Sequence, residues 1–284
     1  MRRFLKMYMI AAVALLAVLT VFGFFSEAAP RQPNAPRQAP TGDLGSAKVL
    51  RGDTYILSCY ISDSRNTWSS DEKRRINNKY HEALDWLKNQ ARKYNVGVNF
   101  EGGLFGFDAD IKLNDIVYWS GSGLENPFDS RIVSRVLKQI GYRDGLSFYD
   151  WAKQNKKVDN SLVLIFIKGR GTSYALQYPK GGNKDLFFTE GVALYERYYG
   201  VDMELTSASI AHEILHLFGA WDLFRTYEQA QDREDKARQM FSNSIMLRVS
   251  NIINELYVDE VTAWLVGWKS DPEPWYEWFN PHTR

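Results

Sequence analysis

Residues 70–95 carry an apolar stripe, Ile76, Tyr80, Leu84, Leu87, Ala91 and Tyr94, in an otherwise polar stretch. That spacing is the period of one face of an α-helix. A helix of this length with a single apolar face has to lay it on another layer, so this stretch restricts the possible architectures more than any other. The neighbouring segments supply the layer. Over residues 53–62, Tyr55, Leu57, Cys59 and Ile61 fall on one alternating set, as in a strand. Residues 96–100 read as a second strand and 114–119 as another, while SLVLIFIK at 161–168 is an unbroken apolar run of strand length. Residues 174–178 and 186–189 flank the turn-rich PKGGNK and predict a hairpin. Residues 128–140, closed by Gly141, and 146–154 have helical spacing. No repeat of solenoid period is present. The order of strand, long helix, strands with helical inserts and a mostly helical C-terminal part predicts an α+β or α/β fold, with helices on a twisted sheet.

Two bulk properties narrow the function. The formal net charge is +1 over 284 residues, with no basic excess for a nucleic-acid partner. Cys59 is the only cysteine, which excludes an intrachain disulfide and a cysteine-based zinc site. Inside a predicted strand it reads as a buried core thiol. At the N-terminus, Arg2, Arg3 and Lys6 precede an apolar run at 7–25. Residues 1–29 are therefore expected to be a membrane anchor or a signal peptide cleaved near Ser26, Glu27 and Ala28. The anchor reading makes the membrane a partner; either reading puts the rest of the chain outside the cytoplasm, membrane-anchored or secreted. Residues 30–46 form a Pro-rich linker, 47–268 the folded domain, and 269–284 an aromatic tail containing Trp275, Trp278 and Phe279.

The chemistry is concentrated in AHEILHLFGAWD, residues 211–222. Thr206 or Ser207 can cap a helix running through Ile210, Ala211, Ile214, Leu215, Leu217 and Phe218. His212 and His216, four apart, then share one face and can point ring nitrogens at one ion. Glu213 sits beside that face, suited to reach a water on the metal rather than to ligate. Gly219 can end the helix in a left-handed turn. If the chain doubles back there, Asp222 reaches the third position of a tetrahedral site, and carboxylate oxygen is an accepted zinc ligand.

The full pattern, His212-Glu213-x-x-His216-x-x-Gly219-x-x-Asp222, resembles the long motif of the metzincin clan of zinc metallopeptidases. Asp222 stands where most members have His, as in the snapalysin-type minority. The resemblance implies a twisted mixed sheet with a long backing helix, an active-site helix, a tight turn bearing a methionine, here Met246 in Ser244-Ile245-Met246, and a C-terminal helix at 259–268. Arg248 stands where some members carry Tyr, and reads as a solvated surface residue. A rival third ligand is Glu255: Asn254-Glu255-x-x-x-Asp259 resembles an element of thermolysin-like peptidases, in which Glu255 would ligate and Asp259 support it. His81 and His282 lie outside either pattern.

These readings lead to a zinc-dependent endopeptidase acting on a protein or peptide substrate. Zn²⁺ is held by His212, His216 and Asp222, and Glu213 is the general base. The resemblance further implies that residues 174–178 are the exposed edge along which the peptide lies. Two readings from other classes remain beside it: a non-catalytic cell-surface binding domain on a metallopeptidase fold, motivated by the aromatic tail and the anchor, and a structural envelope protein in which the motif is a coincidence.

Overall fold

Strand β1, Gly52–Ser62, is buried along almost its whole length, and its side chains alternate between two separate apolar clusters. Ile56 and Tyr60 point to one; Tyr55, Leu57, Cys59 and Ile61 point to the other. Strands β4, Asn160–Gly171, and β6, Gly191–Tyr198, divide in the same way, with Leu162, Leu164, Phe166, Val192 and Leu194 against Val163, Ile165, Ile167, Ala193 and Tyr195. A sheet apolar on both faces has to be covered on both faces. The computed structural model describes residues 45–116, 129–178, 189–198, 202–226, 229–248 and 250–281, and it has helices on each side.

With β2 at Val98–Phe105, β3 at Ile111–Lys112 and β5 at Tyr174–Leu176, the sheet has the order β2-β1-β4-β6-β5, and β3 also pairs with β1. All pairings are parallel except the last, β5 against β6, which is antiparallel. Parallel neighbours need crossover connections. The first is α1, Ser70–Lys93, which lies on the first cluster through Ile76, Tyr80, Leu84, Leu87 and Ala91. Its start is fixed by a capping box in which Ser69 and Glu72 each bond the other's backbone N–H. Each large side chain buried on this stripe contributes about 1.5–3 kcal/mol. Helices α2, Ile132–Gln139, and α3, Gly145–Lys156, cover the opposite face. The first face also carries α4, Ser207–Leu217, α5, Gln231–Met240, and α6, Glu260–Leu265.

The mixed α/β architecture and the long backing helix agree with the sequence reading, and four details differ. Residues 114–116 are not a strand: Asn114 and Asp115 make a bend, with Asp115 at φ +56°, and residues 117–119 lie outside the described residues. Among the described residues the antiparallel partner of β5 is β6, and residues 186–188 of the expected hairpin lie outside the described residues. Strand β6 has no counterpart in the sequence reading. The aromatic tail is part of the domain: Tyr276 and Phe279, on the 3-10 helix Pro274–Phe279, are buried in the first cluster, and only Trp278 is well exposed.

The membrane expectation is corrected. Among the described residues no helix is long and apolar enough to cross a membrane. A span needs about 20 consecutive apolar residues, whereas α1 is apolar on one stripe only. Residues 1–29, which prompted the transmembrane reading, lie outside the described residues. Membrane partnership and an anchored location are therefore not carried into the functional reading.

Candidate metal centre

Helix α4 begins where Thr206 Oγ1 accepts the Ser209 N–H at 3.1 Å. It ends in a paired hydrogen-bond closure: Gly219 N–H donates to His216 O at 2.9 Å and Ala220 N–H to Leu215 O at 3.2 Å. That pairing requires left-handed backbone after the last turn, and Gly219 provides it at φ +95°. The chain thus reverses within three residues, and Asp222 returns to the face that carries His212 and His216.

The result is a three-atom cluster. His212 Nε2 and His216 Nε2 are 3.0 Å apart, and Asp222 Oδ1 lies 3.3 and 3.2 Å from them. Tetrahedral coordination with bonds near 2.0–2.1 Å separates its ligand atoms by about 3.3–3.4 Å, so the spacing fits one small cation. The protonation pattern fits as well. His212 Nδ1 lies 3.0 Å from Ile245 O and His216 Nδ1 lies 2.8 Å from Ala220 O. A carbonyl can only accept, so each Nδ1 carries its ring's proton and each Nε2 presents a lone pair. Two lone pairs then face each other and a carboxylate oxygen that is buried without a hydrogen-bond partner. Such a cluster is stable only with positive charge at its centre. Without a metal a proton supplies it: burial alone would lower the His216 imidazole, but the adjacent Asp222 carboxylate and the charge of Glu213 push it up to about 9. Burial works against the Asp222 carboxylate too, but both histidines outweigh it and hold Asp222 well below the usual range. Among the described residues, His212, His216 and Asp222 form the one group arranged to hold a metal ion.

A second segment steadies this centre. Residues 244–248 make a tight turn in which Leu247 and Arg248 N–H groups donate to Ser244 O, each at 3.1 Å. The turn supplies the Ile245 carbonyl to His212, and its Met246 carbonyl accepts the Leu223 N–H at 2.8 Å, next to Asp222. Met246 itself is fully buried. Buried Asp259 clasps the turn: one of its oxygens accepts the Ser244 and Thr262 hydroxyls at 2.6 and 2.7 Å, and the other caps α6 through Thr262 N–H. Gln229 Nε2 ties the Asp222 and Phe279 carbonyls together at 2.8 and 2.9 Å.

Glu213 lines a cleft of about 490 Å³ that opens over His212, His216 and Asp222. Its carboxyl is raised by burial and by Asp222, against the lowering effect of the two histidines. One wall of the cleft is the edge strand β5, through Tyr174 and Ala175; another is Trp221 and Phe224. Tyr198, at the end of β6, also faces the cleft and donates its hydroxyl to Ser209 on α4. Glu255 is elsewhere. It is exposed on the 3-10 turn Ile253–Glu255, bonded to Ser250, and takes no part in the cluster. Asp259 acts on the turn and not on Glu255. His81 is exposed on α1, and residue 282 lies outside the described residues. Sequence reasoning missed the Ile245 and Ala220 carbonyls, which leave no side-chain signature, and Gln229 and Tyr198, which belong to no recognisable spacing.

No protein-family model matches the chain, and no curated protein matches it. The reading of the centre rests on its own geometry and chemistry.

Proposed function

We propose that the protein is a zinc-dependent endopeptidase of metzincin-like design, with His212, His216 and Asp222 holding the metal. The observation that carries the reading is the convergence of two imidazole lone pairs and an orphaned carboxylate oxygen, 3.0–3.3 Å apart, on the wall of an open cleft. Zinc held by His212, His216 and Asp222 would supply Lewis acidity, making water more acidic and polarising a carbonyl. The chain's own groups do the rest. Glu213 follows His212 on α4 and lines the same cleft, so its carboxylate takes the proton of the attacking water and passes it to the leaving amine. Burial raises the proton affinity of that carboxylate, which suits a group that has to hold a proton between the two transfers. Among the described residues β5 ends the strand order of the sheet, a position suited to the addition of an extended peptide. The tight turn at 244–248 holds the His212 ring through Ile245 O and so fixes which nitrogen faces the metal.

The experiment is metal analysis of the purified protein beside Asp222→Ala, Glu255→Ala and Glu213→Gln, with peptide turnover measured in parallel. The reading expects one zinc per chain in the wild type, lost with Asp222→Ala and kept with the other two. Glu213→Gln should lower turnover by at least about 10²–10⁴-fold. Zinc that persists without Asp222, or full turnover without Glu213, would overturn it. Wild-type protein that binds zinc but cleaves no peptide would favour the non-catalytic binding reading.

A further inference from the structure

Phe224 ends the metal cleft on one side. Its ring stacks on His212, with centroids 6.2 Å apart and planes 29° from parallel. Beyond it lies a second concavity of about 370 Å³ that shares Phe224 and Arg248 with the cleft and is completed by Leu247, Arg225, Arg238 and Glu234. Three guanidinium groups and one carboxylate line it. That carboxylate is already engaged: one oxygen of Glu234 accepts the Arg225 backbone N–H and the other takes Arg238 in an i,i+4 pair. The Arg248 guanidinium bonds the neutral Asn243 amide oxygen, at 2.8 Å, and has no carboxylate within salt-bridge distance among the described residues; the charge of Arg225 acts on Glu234, which Arg238 already pairs. The other charged groups lining the main cleft are the metal ligands and Glu213. Because the two concavities share Phe224 and Arg248, a peptide lying in the cleft can extend past Phe224 toward these guanidiniums.

Resting on the peptidase reading, we propose that this annex is a carboxylate subsite and that the substrate is an acidic peptide, with an Asp or Glu side chain beside Arg248 and Arg225. Guanidinium is the side chain best matched to carboxylate, through two parallel N–H donors. Gln, equal in size to Glu but neutral, gains only ordinary hydrogen bonds there. A free peptide C-terminus offers the same chemistry and is separated from a side chain by the test.

The test uses the full chain loaded with zinc, carrying Glu213→Gln so that peptides bind without being consumed. Acetylated, amidated alanine-based heptapeptides with one Glu or Gln scanned along the sequence are titrated, together with their free-acid forms. At one register the Glu peptide should bind about tenfold more tightly than its Gln twin, a difference of about 1.4 kcal/mol. Arg248→Gln combined with Arg225→Gln should bring that ratio close to one while zinc content stays at one per chain. A ratio near one at every position, a ratio the double variant leaves intact, or no binding by any peptide would overturn the subsite. A preference that appears only with the free acid would move the recognised group to the C-terminus and overturn the side-chain assignment. Selective binding of Glu peptides by a protein whose wild type cleaves none of them would uphold the subsite and refute the peptidase reading.

Discussion

Replacing Gly219 by Ala tests whether the left-handed turn after α4 sets the third ligand. The position lies at φ +95°, and both closing hydrogen bonds, Gly219 N–H to His216 O and Ala220 N–H to Leu215 O, depend on that conformation. A Cβ built there would meet only Leu265 O, at 3.8 Å, an ordinary contact. The substitution is therefore opposed by backbone torsion and not by crowding. Holding an L-residue in left-handed backbone costs about 1–2 kcal/mol, and no new packing offsets it. Urea unfolding of the metal-free protein should show a loss of that size. If the chain relieves the strain by opening the turn, Asp222 moves away from the histidines, and zinc affinity, read by competition with a chromophoric chelator, falls about tenfold for each 1.4 kcal/mol. Gly219→Asn should recover part of the loss, because Asn tolerates left-handed backbone better. An Ala variant with wild-type stability and affinity would refute the argument. So would an equal, larger loss in both variants, because it would require a clash that the geometry does not contain.

Three further outcomes follow from the same geometry. In chelator-treated protein the His216 imidazole is raised from 6.5 to about 9; its stabilising contribution is complete below about pH 6.5 and is lost as pH rises through 9, so the melting temperature should fall across that window, and Asp222→Asn should flatten the fall. Ala175→Pro, which disrupts the β5 edge where Ala175 pairs with Val192, should reduce peptide turnover while leaving one zinc per chain; unchanged turnover would place the substrate elsewhere. Asp259→Ala removes the cap of α6 and the acceptor of the Ser244 hydroxyl, and denaturant titration should show a loss of about 2–4 kcal/mol; a loss below 0.5 kcal/mol would mean that the clasp on the turn is dispensable.

The parts that could be read from sequence are those built by near neighbours in the chain. The stripe on α1, the capping of α4 by Thr206, and the return of Asp222 past Gly219 are all written within a few residues, because helical period and turn chemistry act over that range. Strand β6 escaped for the opposite reason. Gly191 opens it and Glu196 and Arg197 close it, so its apolar run is short, and only pairing with the distant β4 marks it as central. The bend at 114–116 was misread because Ile116 is buried from a loop, not from a strand. In the candidate metal centre the convergence of His212, His216 and Asp222 was legible, whereas the proton positions were not: they are set by backbone carbonyls, and Ile245, which holds His212, belongs to a turn reached only after α5.

Cys59 shows what a sheet covered on both faces does to a thiol. The side chain is fully buried among the residues between β1 and the helices α2 and α3, and burial pushes the thiol's ionisation far out of reach of neutral pH. No modifying reagent meets it while α2 and α3 stay packed on this face of the sheet. The chain therefore contains a single internal clock. The rate at which a thiol reagent labels the folded protein counts how often this packed layer opens. Because the candidate metal centre lies over the other face of the sheet, a change in that rate on adding zinc would measure, with no engineered label, how far filling the site steadies the layer behind the sheet.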